Sequence, residues 1–90
     1  MNSIARKKRI EISLKNAFNP ILLEVRDDSK QHAGHQSIEE GAKETHFHIH
    51  MRTLLFKDLN KVMMHRKVYE LLKDEFENGL HALELELGSN

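Results

Sequence analysis

Ninety residues suffice for one domain and not for two. The chain has no cysteine, which excludes disulfide stapling, thiolate catalysis and an iron–sulfur cluster held by its own thiolates. Its 14 basic and 14 acidic residues cancel, so bulk charge recommends neither nucleic acid nor an anionic membrane, while seven histidines suit either a metal role or a pH-sensitive surface.

Residues 1–10 are basic but lead into no apolar segment of the signal-peptide kind, and no apolar run approaches the ~18 residues of a membrane span. The expected setting is therefore the cytoplasm, with no membrane partner. Glu11 and the helical pattern around it make the basic residues 6–9 part of the fold rather than a transit peptide. Residues 3–18 read as a helix capped by Ser3, with Ile10, Leu14, Ala17 and Phe18 on its apolar face. Asn19-Pro20 stops it. Residues 21–27 read as a strand, with Leu23 and Val25 facing one way and Leu22, Glu24 and Arg26 the other. Residues 28–43 are polar, aperiodic and carry two glycines, the pattern of a long functional or mobile loop.

Residues 44–53 alternate cleanly, with Phe47, Ile49 and Met51 on one face and His46, His48, His50 and Arg52 on the other, and are expected to pair antiparallel with the first strand. Residues 54–59 form a short connection with a 3₁₀ turn. Asn60 caps a second helix, residues 61–77, whose buried stripe is Val68, Leu72 and Phe76, flanked by Val62 and Leu71. Asn78-Gly79 ends it, residues 80–87 form a third strand with Leu83, Leu85 and Leu87 on one face, and residues 88–90 are a frayed tail. The order is helix, strand, strand, helix, strand, an α+β domain over residues 1–90 in which helices cover one face of a three-stranded sheet.

Five pieces then carry a family pattern: Phe18-x-Pro20 with Leu23-Glu24-Val25; Asp27-Asp28-Ser29-x-x-His32-Ala33-Gly34-His35; Glu44-Thr45-His46-Phe47; His65-Arg66-x-Val68-Tyr69; and Gly79-Leu80-His81-Ala82-Leu83. In this order and spacing they resemble the BolA family, of the type with histidines in the loop. The resemblance implies a fold similar to the class II KH domain. It also implies a partnership with a monothiol glutaredoxin and a shared two-iron two-sulfur cluster. The glutaredoxin cysteine and a glutathione thiol would supply two ligands, and this chain His65 with His32 or His35, with no cluster expected on the isolated chain. The roles implied are cluster trafficking, iron or redox regulation, stress response and, for some members, transcription regulation. Family members usually carry glycine where this chain has Asp58, implying a differently shaped turn. They carry arginine where it has Met64, implying a lost charge beside His65.

Each candidate has a plainer reading. A lone histidine beside an apolar stripe is usually structural, and only the resemblance makes His65 a ligand; neutral imidazole suits iron and makes a cluster less negative than thiolate does. His32 fits the Ser-x-x-His spacing, but His35 follows a mobile Ala-Gly and the choice between them stays open. His46 and His81 read as structural, and His48 and His50 as an exposed polar face able to attract nickel or zinc without biological meaning. Arg66 and Lys67, with the basic residues 6–9, suggest a weak nucleic-acid surface, so the alternative function is a DNA-binding transcriptional regulator. The Gly-x-x-Gly clamp of an RNA-binding KH groove is absent. No nucleophile–base pair, paired carboxylates or His-Glu-x-x-His helix is present, so an enzyme is not expected. Alone, the chain is expected to be a monomer or a weak homodimer.

Overall fold

The computed structural model describes residues 5–28 and 45–90. Helix α1 (Arg6–Phe18) buries Ile10, Leu14 and Phe18 at intervals of four, and Arg6 extends the same row one turn back. Ala17, expected on this face, is exposed. A row of i, i+4 contacts drifts about 40° around the helix per step, so by Phe18 the contact direction has moved away from Ala17. The helix begins after Ala5, which makes no side-chain cap, and Ser3 lies outside the described residues. At the other end Asn19 adopts the left-handed conformation (φ 46°) and its N–H returns to Lys15 O, closing the helix before Pro20.

Strands β1 (Leu22–Asp27) and β2 (His46–Arg52) pair antiparallel, from Leu22 opposite Arg52 to Asp27 opposite Phe47. Strand β3 (Ala82–Gly88) lies parallel to β2 on its other side, from His46 opposite Ala82 to Arg52 opposite Gly88. The sheet order is β1-β2-β3, so the histidine-rich strand is central. Its inner face carries the buried Val25, Phe47, Ile49, Met51 and Leu87, with Leu23, Leu83 and Leu85 packed alongside, and the helices cover it. Gly88 belongs to the strand rather than to a frayed tail, and Arg52 Nη1 donates to Asn90 O at 2.8 Å.

Between β2 and the second helical region, a 3₁₀ turn (Leu54–Phe56) drops Phe56 into the core against Phe18, ring centroids 5.1 Å apart. The buried Thr53 secures this corner: its hydroxyl donates to Phe18 O at 2.6 Å and accepts from Leu55 N–H. Helix α2 (Lys61–Leu71) starts as expected, Asn60 Oδ1 accepting from Met63 N–H at 2.9 Å. The single helix expected over residues 61–77 is divided, however. At Leu72 the backbone turns to φ −97°, ψ 15°, and a short helix α3 (Lys73–Glu77) follows. Anchors on either side account for the break. Leu72 sits in the core, while Glu75 one turn on is held by two guanidinium groups of α1.

The two departures at the turn and in α2 have structural explanations. Asp58 stands at φ 72°, so this turn keeps a conformation that glycine favours, rather than a different shape. Met64 is buried in the core beneath α2, so this side chain serves packing.

Candidate functional site

The outer face of the sheet carries three of the seven histidines, His46, His48 and His50, and two of them sit in cross-strand rows with acidic residues. Glu24, His50 and Glu86 share one cross-strand row and Arg26, His48 and Glu84 the next. His50 Nδ1 lies 3.6 Å from Glu24 Oε1, and His48 Nε2 lies 3.3 Å from Glu86 Oε1. Among the described residues no group of three or more His, Cys, Asp or Glu side chains is arranged to hold a metal ion.

His65 occupies a different surface. It is half-buried on α2, in an open groove lined by Lys61, Val62, Arg66 and Tyr69. Lys61 Nζ donates to Leu87 O at 2.6 Å and Tyr69 OH reaches Leu83 O at 3.5 Å, so α2 runs antiparallel to β3. His65, midway between those two residues, therefore stands near the level of Leu85. Tyr69 in turn stacks on Phe76 with centroids 5.3 Å apart.

His46 and His81 meet at the end of the sheet where the segment 29–44 is tethered. Asp28 N–H donates to His46 O at 2.8 Å, and the N–H groups of His81 and Ala82 both donate to Thr45 O. The two imidazoles lie edge to face with centroids 6.1 Å apart. Thr45 Oγ1 lies 2.9 Å from His46 Nδ1, the structural hydrogen bond expected of His46. The His81 ring makes no hydrogen bond among the described residues. His81 precedes β3, so at 3.3 Å per residue it is offset from the level of His65 by about 13 Å along the strand. His32 and His35 lie outside the described residues; the flanking Asp28 and Thr45 are bonded through their backbones to His46 and to His81 and Ala82.

A metal–imidazole bond is ~2 Å long, so two ligands of one ion must approach within ~4 Å of each other. Among the described residues, His81 and His46 are brought side by side, with ring centroids 6.1 Å apart. Sequence reasoning set His81 aside as structural. Only the parallel pairing of β3 with β2 places it at the tether, and neither strand's local pattern reports that pairing.

The basic residues do not form one patch. Arg6 and Arg9 both close on Glu75, at 2.8 and 2.7 Å. Their hydrogen bonds, Arg9's first and then Arg6's, hold the Glu75 carboxyl below its usual range against the burial that raises it. Arg66 and Lys67 remain exposed on α2; Arg66 lines the His65 groove and Lys67 a second depression with Phe18, Glu70 and Leu71.

Comparison with known proteins adds three findings. The family model described as BolA-like protein matches residues 14–90. Among curated relatives, the SufE-like protein 1 of Arabidopsis thaliana is 40% identical over 90% of this chain, which spans only 23% of that relative's length. The DNA-binding transcriptional regulator BolA of Escherichia coli is 34% identical over 88% of this chain and 70% of its own. Among solved structures, BolA1 from Arabidopsis thaliana superposes with a TM-score of 0.87 at 35% identity, covering 98% of this chain and 95% of that one. No described helix is long and apolar enough to cross a membrane.

Proposed function

The chain belongs to the BolA-like family, and from that premise we propose that it is a binding protein, not an enzyme, which docks on a monothiol glutaredoxin and completes a shared two-iron two-sulfur cluster. Glutaredoxin and glutathione would bring the thiolates this chain lacks. This chain would bring imidazoles: His81 first, with His32 or His35 as the second. His65 is kept as the competing ligand for the first place. The carrying observation is the meeting of His81 and His46 at the two tether points of the segment that bears His32 and His35.

In this reading the cluster is cargo or signal, and the chain's work is to present neutral nitrogen in a fixed direction. Imidazole in place of thiolate leaves a cluster less negative and raises its potential, which makes it easier to hand on or to sense. His81 suits that task because its backbone is fixed to Thr45 while its ring stands at the sheet's end. The setting proposed is cytoplasmic, and the chain alone a monomer or a weak homodimer.

Anaerobic co-reconstitution with a monothiol glutaredoxin, iron, sulfide and glutathione, followed by visible circular dichroism, tests the proposal. His81→Ala is expected to abolish the heteromeric spectrum and His65→Ala to preserve it. The reverse result would return the ligand role to His65, and a spectrum unchanged in both would sink the cluster proposal.

A second reading, DNA-bound regulation, draws on the name of the Escherichia coli relative and on the exposed Arg66 and Lys67. Its test is affinity for a promoter fragment across a salt series, because contacts to phosphate weaken steeply with salt. Binding no tighter than to random duplex disposes of it.

A further inference from the structure

On the reading that His81 supplies a ligand, we propose that Arg6 is a positioning residue for it, acting through the turn Asn78–Gly79–Leu80. Arg6 is a cation at 8% exposure, an arrangement that costs desolvation unless its donors are used. They are used at that turn. Nε donates to Glu75 Oε1 at 2.8 Å and Nη2 to Asn78 O at 2.6 Å. The Nη edge of the same guanidinium lies against Gly79, where an added Cβ would sit 3.3 Å from Nη2. Gly79 needs to be glycine on a second count, since its φ is 117°.

From there each step of the backbone toward His81 is held. Leu80 N–H donates to Glu75 O at 2.9 Å and the Leu80 side chain is buried. His81 N–H then donates to Thr45 O at 2.9 Å. Glu75 thus sits at the hub, its carboxylate fixed by Arg6 and Arg9 and its carbonyl holding Leu80. Helix α3 buries no residue of its own. The direction of the turn is therefore set by this clamp together with the partly buried Phe76 and the buried Leu80 that follows it. A planar fork with two partners in fixed directions sets an orientation that an apolar side chain cannot. Arg6 and Arg9 precede residue 14, where the match to the family model begins, so the clamp is an addition to what that model describes.

The test is hydrogen exchange on the full chain, followed by NMR, with the His81 and Leu80 amides as reporters and the Ile49 amide of the central strand as the measure of global stability. Arg6→Gln is expected to reduce protection at His81 and Leu80 about ten-fold and at Ile49 by less than about three-fold. Arg9→Gln, which removes the other guanidinium from Glu75, is expected to change His81 by less than about three-fold. Arg6→Lys, chosen because it keeps a charge for Glu75 if the Gln variant fails to fold, is expected to recover only part of the protection. Equal loss at His81 and Ile49 in both Arg6 variants would overturn the positioning role and leave Arg6 merely stabilising. In the heteromeric complex, Arg6→Gln is also expected to speed loss of the cluster's circular dichroism about ten-fold. If His81→Ala leaves that spectrum intact, the ligand assignment is what fails. If His81→Ala abolishes it while exchange at His81 is indifferent to Arg6, the positioning role alone fails.

Discussion

His65 and His81 are both half of a plausible ligand pair, and the fold treats them oppositely. His65 lies on the flank of a helix, beside Lys61, Arg66 and Tyr69, in a groove whose described lining holds no second histidine and no carboxylate. His81 lies at the head of a strand, with a second imidazole 6.1 Å away and its main chain fastened to the residue that ends the 29–44 segment. A histidine's surroundings along the chain therefore say less than the strand pairing that decides which chain ends meet. The difference can be broken or sharpened by substitution, and the largest expected effect is on the cluster itself. His81→Ala should abolish the heteromeric spectrum and His65→Ala should leave it within about two-fold, with both proteins folded, because neither ring is a core residue and surface substitutions usually stay within about 0.5 kcal/mol.

Backbone strain separates the two regions next. Gly79→Ala forces a side chain into a conformation L residues rarely adopt and presses it on Arg6. A cost of about 1–3 kcal/mol is expected in urea unfolding. Val62→Ala, in the His65 groove at 60% exposure, should cost less than about 0.5 kcal/mol. Equal costs would mean that the turn before His81 is no more constrained than the groove.

Acid should loosen one region and not the other. The Glu75 carboxyl is held below its usual range in the folded state by Arg9 and Arg6. A depressed folded pKa contributes stability above the unfolded value of about 4.3, and that contribution is lost as pH falls through the folded value. Glu75→Gln should therefore cost about 1–3 kcal/mol at pH 7, where it breaks a part-buried charged network. The gap to wild type should close progressively below about pH 4.3. A gap constant from pH 7 to pH 3 would show that the carboxylate's charge is not what the clamp uses.

Much of this was legible in the sequence, for reasons that also mark where legibility ends. Period-two alternation named the buried Phe47, Ile49 and Met51, and Asn60 and Asn78-Gly79 bounded the second helical region, because those signals are local. The break at Leu72 was not visible, since it comes from Glu75 meeting Arg6 and Arg9 almost seventy residues away. The same distance hid the fate of Arg6 and Arg9, which read as part of a basic patch and became a clamp. His65 was chosen on its motif alone, while His81 had the weaker local signal and the better neighbours. His32 and His35 remain outside the described residues.

The smallest expected effect lies on the His65 side, at the turn that launches α2. Asp58 holds a left-handed conformation (φ 72°) that an L side chain with a Cβ adopts at a cost. Asp bears this better than most residues, because its short polar side chain can hydrogen-bond locally, but glycine bears it without the steric penalty. Glycine also loses more freedom on folding, which offsets part of the gain. Asp58→Gly should therefore stabilise the domain by only about 0.5 kcal/mol in urea unfolding. It should leave exchange at His81 unchanged, because the substitution acts at the far end of β3, where Lys61 meets Leu87 O. A change in His81 protection on Asp58→Gly would show that the two ends of the strand are coupled, and the separation drawn between the two histidines would then be too sharp.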